Sequence, residues 1–275
     1  MRCSYSEGMR AVRGRWSDTF WRCERTSDWS VKGRSVFRTR ASDVDLAFSY
    51  ALGMPLLRVH CFGLSVDGFG AGPRQSLAEP MGVGGMALHE WFFPTRTFRQ
   101  MHAATGLSAG EGDGASEVDD EFAARGFEGI GAWIIGRNMF GPIRGPWLDG
   151  SWKGWWGDNP PYHTPVFVLT HHRREPLVME GGTTFHFVTG GIQEAYDRAM
   201  EAANGNDVRV GGGAHTIRQY LAPRLVDHMH LAVSPVLLGS GEHLFGGLDL
   251  PALRYEIAQQ TSSRVTAHVF IRRKV

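Results

Sequence analysis

The sequence Gly211-Gly212-Gly213-Ala214 follows a β-branched segment, Val208 to Val210, and opens a segment of helical character. The first amide groups of a helix are unpaired and carry a partial positive charge, and glycines allow an anion to approach them without a Cβ in the way. The motif therefore predicts a turn that binds a pyrophosphate. The same motif is equally compatible with a tight strand-to-helix connection that binds nothing.

Polar residues of related chemistry follow two other apolar segments. Gly136, Arg137 and Asn138 come directly after Ile135, and Thr170 and His171 come directly after Leu169. In a parallel sheet, ligands collect at the carboxyl ends of the strands. Arginine, histidine and threonine there suit an adenosine 2′-phosphate, so NADPH is favoured over NADH. For residues 171–174, a solvated basic turn is the alternative.

A glycine-rich stretch from Gly70 to about Gly114 contains the aromatic segment that begins His89-Glu90-Trp91. Loops of this length in compact domains are commonly lids or binding loops, so these three residues are candidate substrate contacts. Packing of the aromatic residues in the core is the alternative.

No metal site is expected. Cys3, Cys23 and Cys61 are too scattered for a thiolate site or a disulfide framework. His228 and His230 share one face of a strand, but no third ligand is evident, which favours packing roles for them.

The elements that must position these residues alternate between strand and helix. Strands are expected at 56–64, 132–135, 165–169, 185–188 and 207–210, and helices from Ser116, at 191–203 and at 214–221. A capping box, with Asp119 three residues after Ser116, marks the first helix. Two closing strands near the C-terminus are expected to pair antiparallel at the edge of a mostly parallel sheet with helices on both faces, which is an α/β fold.

Charge and composition separate the N-terminal residues from the rest. Residues 1–54 contain ten basic and six acidic side chains in a chain whose formal net charge is only +1. They lack a helix or strand period and are expected to form a basic, disordered extension, followed by one domain at 55–275. A nucleic-acid partner is not expected, and the absence of a long apolar run or signal-peptide pattern favours a cytoplasmic location without a membrane.

Five segments together resemble the dihydrofolate reductase-like superfamily, and most closely the reductase domain of the bifunctional riboflavin-biosynthesis deaminase-reductase. They are LSVDGFGAG, IIGRNMF, VFVLTH, VRVGGGAHTIRQYL and LVDHMHLAVSPVLLGSGEHLF. The resemblance runs from Leu56 to Arg273. It implies a dihydrofolate reductase-like fold, a homodimer, and hydride transfer from NADPH to a small heterocycle, of which 5-amino-6-(5-phosphoribosylamino)uracil is the one that the family name suggests.

The resemblance also implies residue roles. The segment 64–71, which includes Ser65, would pass beside the nicotinamide, and Asp67 and Glu242 would face the substrate as candidate proton donors. A turn role for Asp67 and an exposed turn for Glu242 are the alternatives.

Met139 stands where dihydrofolate reductases usually have threonine, and no pterin-binding acid can be matched, which disfavours folate reduction. The deaminase zinc ligands are not found in this sequence, so only reductase activity is expected. The alternatives are a dihydrofolate or pterin reductase and a non-catalytic dimeric module that binds NADP.

Overall fold

The computed structural model describes residues 54–102, 116–141, 144–147 and 150–274. The predicted extension 1–54 therefore lies outside the described residues except for Met54, as does the part of the glycine-rich stretch at 103–114. No helix among the described residues is both long and apolar enough to cross a membrane.

Nine strands form one mixed sheet in the order β4-β5-β3-β2-β6-β1-β7-β9-β8. The strands are β1 (Leu57–Ser65), β2 (Ile130–Gly136), β3 (Pro165–Leu169), β4 (Leu177–Val178), β5 (Thr184–Val188), β6 (Asp207–Gly212), β7 (His228–Ser234), β8 (Tyr255–Ser262) and β9 (Ala267–Arg273). The strands from β5 to β7 in that order pair parallel, whereas β4 pairs antiparallel with β5, and β9 pairs antiparallel with both β7 and β8. The predicted fold class, with its antiparallel C-terminal edge, is confirmed.

Five α-helices and two short 3₁₀ helices connect the described strands. The α-helices are α1 (Arg96–His102), α2 (Glu117–Arg125), α3 (Arg137–Phe140), α4 (Gly191–Ala202) and α5 (Ala214–Leu221), and the 3₁₀ helices are Gly85–His89 and Glu180–Gly182. The predicted capping box is present at α2, because the Ser116 hydroxyl accepts from the Asp119 amide and the Asp119 carboxylate accepts from the Ser116 amide.

Both faces of the sheet are covered, as the alternation along β2 shows. Ala132 and Ile134 pack in a cluster with residues of α4 and α5, whereas Trp133 and Ile135 pack in a second cluster that includes Phe140 of α3. Since successive side chains of a strand point to opposite faces, these clusters lie on opposite sides of the sheet. Helices therefore flank both faces, as expected.

Several elements differ from the sequence-based expectation, among them the short strand β4 and the short helix α3. The edge strand β8 was not expected either, because its sequence YEIAQQTS has little apolar alternation; half of its residues are exposed. The glycine-rich stretch is also more ordered than a simple loop, since it contains the 3₁₀ helix Gly85–His89 and α1.

Candidate active site

The three predicted ligand-binding turns meet at one edge of the sheet. Gly136 at the end of β2 pairs with Leu169 at the end of β3, and Ile135 of β2 pairs with Gly212 at the end of β6. All three strands run in the same direction, so the residues that follow them are neighbours at the carboxyl edge. This is where an open α/β sheet binds its ligands.

Arg137 begins α3 at this edge and has donors that no described residue satisfies. Its Nη1 donates to the Gly141 carbonyl oxygen at 3.3 Å. The side chain is half-buried, and its Nε and Nη2 atoms are buried and have no hydrogen-bond partner among the described residues. Burial, and next the nearby positive charge of Arg174, lower the pKa of Arg137 to about 10. The guanidinium still carries its charge at neutral pH, and a half-buried cation with unsatisfied donors is suited to an anionic partner.

Two arginine side chains, those of Arg137 and Arg174, lie against the indole ring of Trp147. The Cζ of Arg137 lies 3.4 Å from the centroid of the Trp147 ring, and the Cζ of Arg174 lies 4.8 Å from it. The indole Nε1 donates to the His172 carbonyl oxygen at 2.9 Å, which ties the ring to the turn after β3. Two positive charges beside one ring repel each other, and an anion between them would relieve that repulsion.

The polar residues of the turn after β3 differ in exposure and in hydrogen bonding. Thr170 is buried, and its hydroxyl accepts from the His172 amide at 3.2 Å. His171 is exposed. Asn138, which follows Arg137, donates to the Gln75 side-chain oxygen at 3.4 Å. Thr170 therefore shapes the turn, and Asn138 connects this edge to the loop after β1.

The glycine turn leaves the start of α5 open. Gly213 is the N-cap residue, and no side chain caps the helix there. A Cβ built on Gly213 would meet nothing within 4 Å, whereas one on Gly136 would collide with the Thr216 hydroxyl. Gly212 has a φ of 138°, a conformation that favours glycine. The unpaired amides of α5 thus face open space beside Gly213, which suits an approaching phosphate.

The loop after β1 runs beside the same helix. A Cβ on Gly70 would lie 3.6 Å from the Ala214 Cβ. The backbone of this loop pairs with the segment that holds Glu242, because the Gly70 amide donates to the Glu242 carbonyl oxygen at 2.9 Å and the Glu242 amide donates to the Ala71 carbonyl oxygen at 3.0 Å. Glu242 is thereby held close to the start of α5.

Asp67 serves as a hydrogen-bond acceptor within this loop. Its carboxylate accepts from the Ser65 hydroxyl at 2.6 Å, from the Leu238 amide at 3.2 Å and from the Gly239 amide at 2.7 Å. The Ser65 hydrogen bond is the main cause that lowers the pKa of Asp67. The three hydrogen bonds are those of a turn residue, and a part for Asp67 in proton transfer stays a prediction.

Glu242 lines a cavity of about 450 Å³ together with two arginines. The lining residues are Gly72, Pro73, Arg74, Gln75, Arg144, Gly241 and Glu242. The sequence analysis did not identify Arg74 and Arg144 as site residues, because they lie in separate loops and no local motif connects them. One lining residue, Gln75, accepts a hydrogen bond from Asn138. The cavity therefore lies next to the sheet edge.

The three candidate substrate contacts of the glycine-rich stretch are placed differently from one another. His89 ends the 3₁₀ helix that begins at Gly85, and burial lowers the pKa of His89. Glu90 is exposed. Trp91 is only 2% exposed, and its ring centroid lies 5.2 Å from that of His268 in the core. Trp91 therefore packs in the core of this structure, and its contact with a substrate stays a prediction.

These features define an α/β domain whose sheet edge carries Arg137 and the glycine turn before α5, with an adjoining charged cavity. The family model of the RibD C-terminal domain matches residues 61–267, and the chain belongs to this family. It is thus a member of the reductase family that the sequence resembles. No curated protein sequence matches the chain.

Solved structures with a similar fold come from proteins of low sequence identity. A putative riboflavin biosynthesis protein from Shewanella sp. PV-4 is 21% identical, with a TM-score of 0.48, and the alignment covers 81% of this chain and 99% of that one. A diaminohydroxyphosphoribosylaminopyrimidine deaminase/5-amino-6-(5-phosphoribosylamino)uracil reductase from Thermotoga maritima is 12% identical, with a TM-score of 0.46, over 84% of this chain and 60% of that one. Dihydrofolate reductase from Enterococcus faecalis, complexed with NADP(H) and RAB-propyl, is 13% identical, with a TM-score of 0.43, over 81% of this chain and 98% of that one.

Proposed function

We propose that this protein is an NADPH-dependent reductase that transfers a hydride to a small heterocycle, with 5-amino-6-(5-phosphoribosylamino)uracil as the substrate. The observation that carries the proposal is the half-buried guanidinium of Arg137. Its buried Nε and Nη2 lack partners among the described residues, at the same sheet edge as the uncapped start of α5. A phosphorylated dinucleotide has a 2′-phosphate that would bind at Arg137 and a pyrophosphate that would bind at the start of α5.

The residues at the edge fit such a cofactor. Arg137 would hold the adenosine 2′-phosphate, next to the turn that contains Thr170 and His171. The amides at Gly211–Ala214 would hold the pyrophosphate, because the open side of Gly213 leaves room for it. The segment 64–71 would lie beside the nicotinamide. When bound, NADPH supplies the hydride, and the protein binds and orients the reactants.

The cavity next to this edge supports a substrate that carries a phosphate. Arg74 and Arg144 place two positive charges in its lining, where they would bind a ribose phosphate. Glu242 lines the same cavity and would accept hydrogen bonds from the ring of the substrate or deliver the proton that a reduction requires. Asp67 would hold the 238–239 segment in place beside it through the bonds to Leu238 and Gly239.

Turnover with a panel of acceptors tests the proposal. The loss of nicotinamide absorbance would be followed for the full chain with NADPH and, in turn, the phosphoribosylaminouracil, its dephosphorylated form, dihydrofolate and a pterin. We expect turnover of the phosphorylated pyrimidine and a much higher KM for its dephosphorylated form. Turnover of dihydrofolate alone would instead identify a folate reductase, and NADPH binding without turnover of any acceptor would identify a non-catalytic module.

Variants in the cavity sharpen that test. We expect Arg74→Gln to raise the KM of the phosphorylated substrate about tenfold or more, since hydrogen bonds between charged groups contribute roughly 1.5–3 kcal/mol. The KM of the dephosphorylated form should not change. Arg264→Gln, at an exposed position outside the cavity lining, is the matched control. An equal loss for both substrates would contradict a phosphate-binding role for Arg74.

Assembly as a homodimer is part of the proposal and rests on the family resemblance. Sedimentation velocity of the full chain, with and without NADPH, measures it directly. A species with twice the monomer mass is expected, and a monomer at all concentrations would contradict it.

A further inference from the structure

Three side chains with metal-binding donor atoms converge within the sheet, away from its carboxyl edge. They are His60 and Cys61 of β1 and His230 of β7. His60 Nδ1 lies 3.1 Å from His230 Nδ1 and 3.3 Å from Cys61 Sγ. All three donor atoms lie within 4.8 Å of one another. His60 and Cys61 are half-buried, and His230 is buried.

An irregularity in β1 brings adjacent residues to the same place. The pairing of β1 with β7 shifts register between Val59 and Phe62, and Cys61 has a φ of 53°. In a regular strand, two successive side chains would point to opposite faces, but a bulge breaks this alternation. His60 and Cys61 can therefore both direct their donor atoms toward His230 on the neighbouring strand.

A chain of buried hydrogen bonds sets the protonation of His230. His230 Nε2 lies 3.0 Å from His268 Nδ1, and His268 Nε2 lies 2.8 Å from a carboxylate oxygen of Asp119. When His268 Nε2 donates to Asp119, His268 Nδ1 accepts from His230 Nε2–H, and His230 Nδ1 is then an acceptor. In this structure His230 Nδ1 accepts from the Cys61 backbone amide at 3.2 Å, and a cation would take the place of that hydrogen bond. Metal-binding histidines typically use this arrangement, in which the second ring nitrogen is tied to a carboxylate.

Two of the three separations between donor atoms are close to those that a small tetrahedral metal requires. With bonds of roughly 2.0–2.1 Å to nitrogen and 2.3 Å to sulfur, neighbouring ligand atoms of a zinc ion lie roughly 3.3–3.6 Å apart. The observed separations of 3.1 and 3.3 Å are within a few tenths of an ångström of these values. Two imidazoles and a thiolate are also the ligand types that zinc prefers.

We propose that His60, Cys61 and His230 bind one Zn²⁺-type cation, with His268 and Asp119 as positioning residues. Nothing in the proposed NADPH site requires this metal, because the ligands lie within β1 and β7, whereas Arg137, Thr170 and Gly213 follow β2, β3 and β6. The ion would join these two neighbouring strands at the bulge and is therefore structural in its main effect.

The thiol of Cys61 lies 3.3 Å from the Phe122 carbonyl oxygen, to which it can donate. A cation that binds the Cys61 sulfur must displace this proton.

Co²⁺ and Zn²⁺ titrations of the full chain test the proposal. Cys3 and Cys23 would be replaced by serine so that Cys61 is the sole thiol. We expect one Co²⁺ per chain, with the visible bands of tetrahedral cobalt and the near-ultraviolet charge-transfer band of a thiolate ligand, both lost when Zn²⁺ is added. The absence of these bands at neutral and alkaline pH would overturn the proposal.

Variants locate the metal. Cys61→Ser should abolish the charge-transfer band. His60→Gln, at a half-buried position, should weaken Zn²⁺ binding at least tenfold. It tests the same site if the cysteine variant does not fold. Asp119→Asn should weaken binding about tenfold or more but keep the thiolate band, because positioning residues typically contribute 10–100-fold in affinity. His228→Gln, two residues from His230, is the control. Unchanged binding in His60→Gln, or a band that survives in Cys61→Ser, would overturn the assigned ligands.

Discussion

The guanidinium of Arg137 stacks on the indole of Trp147, with its Cζ 3.4 Å from the ring centroid, while its Nε and Nη2 have no partner among the described residues. The ring fixes the position of the cation but cannot satisfy its N–H donors. This combination of a restrained side chain and unused donors is what an anion-binding site requires before its ligand arrives.

Replacing Arg137 should change which nicotinamide cofactor the protein prefers. Arg137→Gln removes charged hydrogen bonds to a 2′-phosphate, so we expect the Kd of NADPH to rise about ten- to hundredfold. The Kd of NADH, which lacks this phosphate, should stay the same. Fluorescence titration with both cofactors measures the ratio. Arg173→Gln, an exposed arginine of the turn after β3, is the control. An equal loss for NADPH and NADH would indicate that Arg137 only supports the fold.

An added methyl group should weaken dinucleotide binding at one glycine of this edge and lower protein stability at another. The Cβ of Gly213→Ala would enter open space, so thermal stability should be unchanged while dinucleotide binding weakens about tenfold or more. The Cβ of Gly136→Ala would collide with the Thr216 hydroxyl, and we expect the free energy of unfolding to fall by about 1–3 kcal/mol. Urea unfolding and cofactor titration separate the two effects. Normal cofactor binding by Gly213→Ala would argue against a phosphate at α5.

Much of this edge could be predicted from the sequence, because each of its three turns directly follows a strand that the sequence pattern indicates. The buried strands β2 and β3 are largely apolar, β6 contains the β-branched residues Val208 and Val210, and polar or glycine residues lie at or directly after the end of each strand. Parallel pairing then brings the turns together. No comparable rule predicts the role of Trp147. This residue lies ten positions after Arg137, and its stacking on the guanidinium depends on the path of the chain between the two.

The cavity and the histidine cluster were missed for related reasons. Arg74 and Arg144 belong to loops whose paths depend on tertiary contacts rather than on hydrophobic period. His60 and Cys61 have adjacent positions in β1, which in a regular strand would place them on opposite faces. Only the bulge brings them together, and no residue pattern in this strand indicates it. His230 was considered as a metal ligand but lacked a visible third donor.

Asp67 should contribute to stability in a manner that depends on pH. Hydrogen bonds lower its pKa in the folded state, so the stabilisation is present above the unfolded pKa, about 3.9 for aspartate, and is lost as the pH falls through the folded pKa. Asp67→Asn should therefore be less stable than the wild type at pH 7, and the difference should shrink at pH values below about 4. Urea unfolding at several pH values measures this. A constant difference across that range would show that the charge of Asp67 has no part in it.

Trp91 provides a test that separates core packing from substrate contact. Because it is 2% exposed and packs near His268, Trp91→Ala should lower the free energy of unfolding by about 3–5 kcal/mol. Its indole Nε1 is buried without a partner among the described residues, so Trp91→Phe removes an unsatisfied donor and should cost much less. Both variants should keep the wild-type KM at a temperature where they are folded, because the ring does not line the cavity of Glu242. A stable Trp91→Ala protein with a strongly raised KM would instead show that the glycine-rich segment opens and that this ring reaches the substrate.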